Sequence, residues 1–164
     1  MTKTEYKEKE AAEALSRLPF WEKLEDGQQA YLLEDLSVRQ YEKGSIIYGC
    51  SSVCLGMICV LTGSIRVYLL SEEGREITLF RLGPGDPCVL SASCVVSQIT
   101  FDTQMAAEQE CDLLVIGMAA FRRLMEENIH VKCFMYELMM ERFSTVMWTM
   151  QQILFAKLDQ RLSG

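Results

Sequence analysis

The chain has 164 residues, with 16 Lys and Arg against 23 Asp and Glu for a net charge of −7, and 49% of its residues are hydrophobic. That length fits one ordinary domain with a single core, the composition excludes a disordered chain, and the acidic balance argues against this chain gripping nucleic acid unaided. The sequence holds one histidine, His130, which removes zinc or iron sites built on two or three imidazoles and catalytic schemes with separate histidine roles.

The opening residues, Met1-Thr2-Lys3-Thr4-Glu5, are charged and carry no apolar stretch, so no secretory signal is read there. Lys7 to Leu18 has helical composition with Ala11, Ala14, Leu15 and Leu18 on one face, and Pro19 ends it. Asp26 reads as the N-cap of a short second helix, Gly27 to Leu36, with Ala30, Leu33 and Leu36 inward. The middle of the chain, 44–117, holds eight of the ten glycines and reads as short strands with turns every 8–12 residues. The strands are Val38 to Glu42, Ile46 to Tyr48, Leu55 to Leu61, Ile65 to Leu70, Ile77 to Leu82, Ile99 to Ala107 and Asp112 to Ile116. A loop is read around Gly49 to Ser52, and Ser71-Glu72-Glu73-Gly74 is a strong turn signal. The longest uncharged run, Gly44 to Ile65, carries four glycines and reads as strands and turns rather than a membrane span.

Residues 118–163 contain neither Gly nor Pro. A helix from Met118 to Asn128 is followed by a longer one from about Val131 to Leu162. Met139, Phe143, Val146, Met150, Ile153 and Lys157 follow 4-3-4-3-4 steps, the spacing of a coiled-coil seam, and they are assigned to a homodimer interface. A single core helix is the plainer alternative. The seam is preferred because Met147, Leu154 and Phe155 supply a second apolar face, so one face can meet the roll and the other a partner helix.

This ordered set resembles the Crp/Fnr family of bacterial transcription regulators. The resemblance rests on Leu18-Pro19-Phe20-Trp21-Glu22-Lys23-Leu24, Tyr41-Glu42-Lys43-Gly44-Ser45-Ile46-Ile47-Tyr48, Val60-Leu61-Thr62-Gly63-Ser64-Ile65-Arg66-Val67-Tyr68, Ser71 to Ile77, and Leu82-Gly83-Pro84-Gly85-Asp86. It implies a mainly β fold: a double-stranded β-helix, or jelly roll, with short N-terminal helices and a long C-terminal dimerisation helix. The implied organisation is a cyclic-nucleotide-binding-like effector roll over 1–130 and a dimerisation helix over 131–164. The family's C-terminal helix-turn-helix domain is expected to be missing from this chain, which stops at Gly164. DNA would then be reached only through that missing domain.

In cyclic-nucleotide sensors of this family, a Glu for the ribose and an Arg for the cyclic phosphate follow the Gly-Asp turn. Here Leu90 stands where the Glu belongs, no Arg stands near Thr100 and Phe101, and no Lys or Arg occurs between Arg81 and Arg122. A buried phosphate wants a paired cation, so neither cAMP nor cGMP is expected to bind. An apolar pocket for an unknown small-molecule effector remains, with Cys88, Leu90, Ser91, Ser93, Cys94, Thr100 and Phe101 as wall residues and Val146 and Met147 closing it.

Seven cysteines without a signal imply reduced thiols in the cytoplasm. Most read as small buried hydrophobes; Cys88 and Cys94, flanking the cassette, are the candidates for a redox role. No cofactor is expected. An iron–sulfur cluster lacks the family's N-terminal cysteines, since the first cysteine is Cys50, and haem has little support from His130 alone. No enzyme activity is expected. The alternatives are a stand-alone jelly-roll interaction or redox-sensing module acting on a partner protein, or a cupin-type enzyme, for which the β region lacks histidines.

Overall fold

The computed structural model describes residues 1–48, 55–89 and 103–163. Helix α1 (Lys3–Ser16) begins one turn earlier than its apolar face suggests. Thr2 provides the reason: its hydroxyl accepts the Glu5 N–H while the Glu5 carboxylate accepts the Thr2 N–H at 2.7 Å, a reciprocal cap that starts a helix before the buried residues do. After a 3-10 turn at Trp21–Lys23, α2 spans Asp26–Asp35, with Glu25 rather than Asp26 at the N-cap; the Glu25 N–H donates to Gln28 Oε1. Its inward residue is Leu32, fully buried, whereas Leu33 is 44% exposed and Ala30 faces solvent. The helix is rotated by one position from the expectation.

Among the described residues eight antiparallel strands follow: β1 (Ser37–Tyr41), β2 (Ile46–Tyr48), β3 (Met57–Thr62), β4 (Ile65–Leu70), β5 (Glu76–Leu82), β6 (Pro87–Cys88), β7 (Gln104–Ala107) and β8 (Cys111–Ile116). They form two four-stranded sheets in the orders β1-β8-β3-β6 and β2-β7-β4-β5, the jelly roll that was expected. The two-residue β6 was not foreseen. It is too short for a period-2 signal and exists because Pro87 and Cys88 pair with Cys59 and Ile58. The expected strand from Ile99 is described only from Gln104 on, and the loop at Gly49 to Ser52 lies outside the described residues.

Strands β3 and β8 read as continuous apolar runs because both faces of their sheet are covered. Alternation then sorts their side chains. Ile58, Val60, Leu113 and Val115 point into the roll, among Ile65, Val67, Phe80 and Met105. Met57, Cys59, Leu114 and Ile116 point the other way, onto Leu15, Phe20, Leu32 and Phe121 of the helical layer. The β3–β4 turn passes through Gly63 at φ +87°, where an added Cβ would overlap Glu110 O and Cys111; only glycine fits both the angle and the space.

Helix α3 (Met118–Glu127) buries Phe121 and Leu124, as expected, and α4 (Ile129–Ser163) continues for 35 residues. Buried Asn128 joins the two: its Oδ1 accepts the His130 N–H, and its Nδ2 donates to Lys23 O and Gln28 Oε1. The first turns of α4 bury Val131, Phe134, Met135 and Leu138 against the helical layer. There Phe134 meets Phe20 edge-on, with ring centroids 5.0 Å apart. Among the described residues, no helix is long and apolar enough to cross a membrane.

Candidate functional site: the junction of the roll and the long helix

Helix α4 leaves the helical layer and crosses the mouth of the roll. The side chains it presents there recur at four- and three-residue steps after Leu138. Arg142 lays its guanidinium over Phe80, 5.0 Å from the ring centroid, and its Nη2 donates to Pro87 O at 2.8 Å. Val146 is half-buried against the roll core. Thr149 Oγ1 lies 3.1 Å from Leu79 O on β5 and the same distance from Thr145 O. Arg142 and Thr149 therefore fasten α4 to β6 and β5, the strands on either side of the Gly83–Asp86 turn. That turn is itself closed by Asp86, whose carboxylate accepts the Gly83 N–H at 2.8 Å.

The expected pocket residues divide into three groups. Cys88 is fully buried in β6 opposite Ile58, inside the roll core. Val146 reaches the same core, but Met147 is 45% exposed on another face of α4, because one residue along a helix turns the side chain by about 100°. Leu90, Ser91, Ser93, Cys94, Thr100 and Phe101 lie outside the described residues. The redox pair expected of Cys88 and Cys94 is thus described at one member only. Among the described residues no group of three or more His, Cys, Asp or Glu is placed to hold a metal ion.

The dimerisation residues separate as well. Met139 packs on the helical core and Val146 on the roll core, and Ile153 is half-buried. Phe143 is 60% exposed, Lys157 is exposed and Met150 half-buried. The apolar residues that α4 leaves exposed include Tyr136, Met140, Phe143, Met147 and Leu154, and with half-buried Met150 these fall in 4-3-4-3-4 steps; the line keeps Phe143 and Met150 of the expected seam and has Met140, Met147 and Leu154 where Met139, Val146 and Ile153 were expected.

Beside this junction lies a cleft of about 840 Å³ between α1, the 84–87 turn, β3 and α4. Apolar side chains, among them Leu61, Phe134 and Leu138, share it with Lys9 and Arg17 of α1 and with Asp86, Glu137, Glu141 and Arg142. The Cys59 thiol at its base is pushed up to about 11 by burial and by the nearby Asp86 carboxylate, so it stays protonated and unreactive near neutral pH. The sequence reading missed Arg142. A signal was present: it stands four residues after Leu138 and four before Val146, a charge in phase with an apolar face.

Residues 38–128, more than half of the chain, match the model of the cyclic nucleotide-binding domain, and the chain belongs to that family. Its sensor fold is that of Crp/Fnr-type regulators. A protein assigned as a Crp/Fnr-family transcriptional regulator from Eubacterium rectale is 39% identical with a TM-score of 0.82, over 87% of this chain and 66% of that one. This chain thus spans less than two thirds of that relative's length. The sensor domain of the transcriptional regulator DNR from Pseudomonas aeruginosa matches with a TM-score of 0.64 at 16% identity, over 95% of this chain and 93% of that one. A mutant of CooA from Carboxydothermus hydrogenoformans matches with a TM-score of 0.64 at 20% identity, over 91% and 94%. At those identities the last two speak for the fold alone. No curated protein matches the chain.

Proposed function

We propose that this chain is the effector-sensing and dimerising portion of a Crp/Fnr-type transcription regulator, acting in the cytoplasm and without enzymatic activity. Two copies pair through α4, and DNA is read by a separate domain of the whole regulator. The observation that carries the reading is the apolar line Tyr136-Met140-Phe143-Met147-Met150-Leu154, exposed except for half-buried Met150, on the same helix that Arg142 and Thr149 fasten to the roll. An uncharged line at heptad spacing on a helix face is what a second helix covers. A molecule bound in the roll and displacing β5 or β6 would act directly on that helix, shifting the pair between two packings.

Cyclic nucleotides are not the effector in this reading. The stretch from 82 to 121 contains no Lys or Arg, and the cation that the fold brings to β6, Arg142, lies among Asp86, Glu137 and Glu141, which repel a phosphate. Haem is not supported either. The heme domain of CooA is among the solved structures with this fold, but the chain's one histidine stands exposed at the start of α4, outside the roll.

Sedimentation and calorimetry test both halves. The expected outcome is a homodimer that becomes a folded monomer in Phe143→Glu, and no heat with cAMP or cGMP. A Phe143→Glu protein that sediments as the wild type does overturns the interface, and micromolar cAMP affinity overturns the exclusion.

A further inference from the structure

We propose that the cleft between α1 and α4 is a binding site for a small organic carboxylate, an apolar body carrying a single carboxylate group that pairs with Arg142. The guanidinium there has five N–H donors. Among the described residues it makes one hydrogen bond, to Pro87 O, and stacks on Phe80. Its Nε is buried with no hydrogen-bond partner. None of the five ion pairs among the described residues includes it, although Asp86, Glu137 and Glu141 line the same cleft. A guanidinium that makes no ion pair with the carboxylates of its cleft is electrostatically incomplete, and the planar fork matches a carboxylate in two-point contact.

The surroundings narrow the ligand class. Apolar side chains, including Leu61, Phe134, Leu138 and Pro87, line the cleft and favour a hydrocarbon body. The full charged lining is three cations (Lys9, Arg17, Arg142) and five carboxylates (Glu10, Glu13, Asp86, Glu137, Glu141), so its formal balance is 3 − 5 = −2. A dianion such as a phosphate monoester meets net repulsion, whereas a single carboxylate seated on Arg142 keeps its one ion pair and the least of that repulsion. The volume of about 840 Å³ lies within the range of small-molecule sites. Binding there would bear on the Arg142–Pro87 contact, the tie between β6 and the long helix.

The probe is phenylacetate, titrated calorimetrically into the full chain beside its neutral isostere phenylacetamide and the dianion phenyl phosphate. Phenylacetate is expected to bind about tenfold or more tightly than the amide, the difference one ion pair in a cleft supplies. Phenyl phosphate is expected to bind more weakly than the carboxylate. Arg142→Gln should remove the preference of acid over amide, Arg142→Lys should retain part of it, and Glu141→Gln should strengthen phenylacetate binding. Near-ultraviolet circular dichroism confirms that each variant is folded, and the Glu141→Gln arm stands if Arg142→Gln does not fold. Equal binding of acid and amide overturns the proposal. So does a preference that survives in folded Arg142→Gln, a stronger response to phenyl phosphate, or no heat from phenylacetate up to about 10 mM, the edge of measurable affinity. Residues of a single protomer supply the whole lining of the cleft.

Discussion

Two faces of α4 carry similar side chains and have opposite fates. Val131, Phe134, Met135 and Leu138 are buried within the protomer, whereas Tyr136, Met140, Phe143 and Met147 remain exposed. Composition does not separate the two sets, since each mixes aromatic and long aliphatic residues. Phase does: the first set faces the helical layer and, farther along, the roll, while the second lies a quarter to a half turn away. On a helix apolar on more than one face, the protomer's own core takes one face and leaves the other exposed.

The largest effect is expected on the inner face. Phe134→Ala removes a buried ring from its contact with Phe20 and should cost about 3–5 kcal/mol, read as a lower urea midpoint at unchanged slope. A loss under about 1 kcal/mol would mean that this face is not core.

The comparison is sharpest between neighbours. Met147→Glu should leave the protomer folded and raise the dimer dissociation constant by about two orders of magnitude or more, because a symmetric interface loses the burial twice. Val146→Glu should do the reverse, lowering the urea midpoint by introducing a charge against the roll core, with dimerisation affected only through unfolding. Sedimentation and urea titration of the pair decide it; swapped outcomes would assign the two faces the other way round.

A smaller effect concerns the buried thiols. The fold raises the Cys59 thiol from 9.0 to about 11 and the Cys111 thiol in the same direction, in both cases mainly by burial. The folded state therefore holds these protons more tightly than the unfolded chain does. The Cys59 contribution to stability is present below about pH 9 and is lost as pH rises towards 11, and the Cys111 contribution is lost in the same direction, with rising pH. Exposed Cys133 should react with a thiol reagent before Cys59 and Cys111 at every pH in that range. Early modification of Cys59 would show that its environment is open.

Much of the β architecture was legible in the residues. Glycine-marked turns and short apolar runs located seven of the eight strands among the described residues, and a run without Gly or Pro located the long helix. Rotation was less legible: Leu32 rather than Leu33 is buried, and Met139 and Val146 pack partly against the protomer's own cores, because a pattern apolar on several faces does not state which face meets which neighbour. Strand β6 and Arg142 were missed because each takes its role from a distant segment: Pro87 and Cys88 from β3, the guanidinium from Phe80 and Pro87.

The sequence alone determined the kinds of element, their order, the turn positions that demand glycine, and the lack of a cation between Arg81 and Arg122, since each of these is written in local residue chemistry. Tertiary structure decided which apolar residues are covered within the protomer and which stay free on α4. It also brought Arg142 to the edge of the roll, 55 positions along the chain from the Pro87 carbonyl that accepts its hydrogen bond. Helix phase and strand alternation limit what can face a neighbour, but only the packed chain settles which neighbour is there.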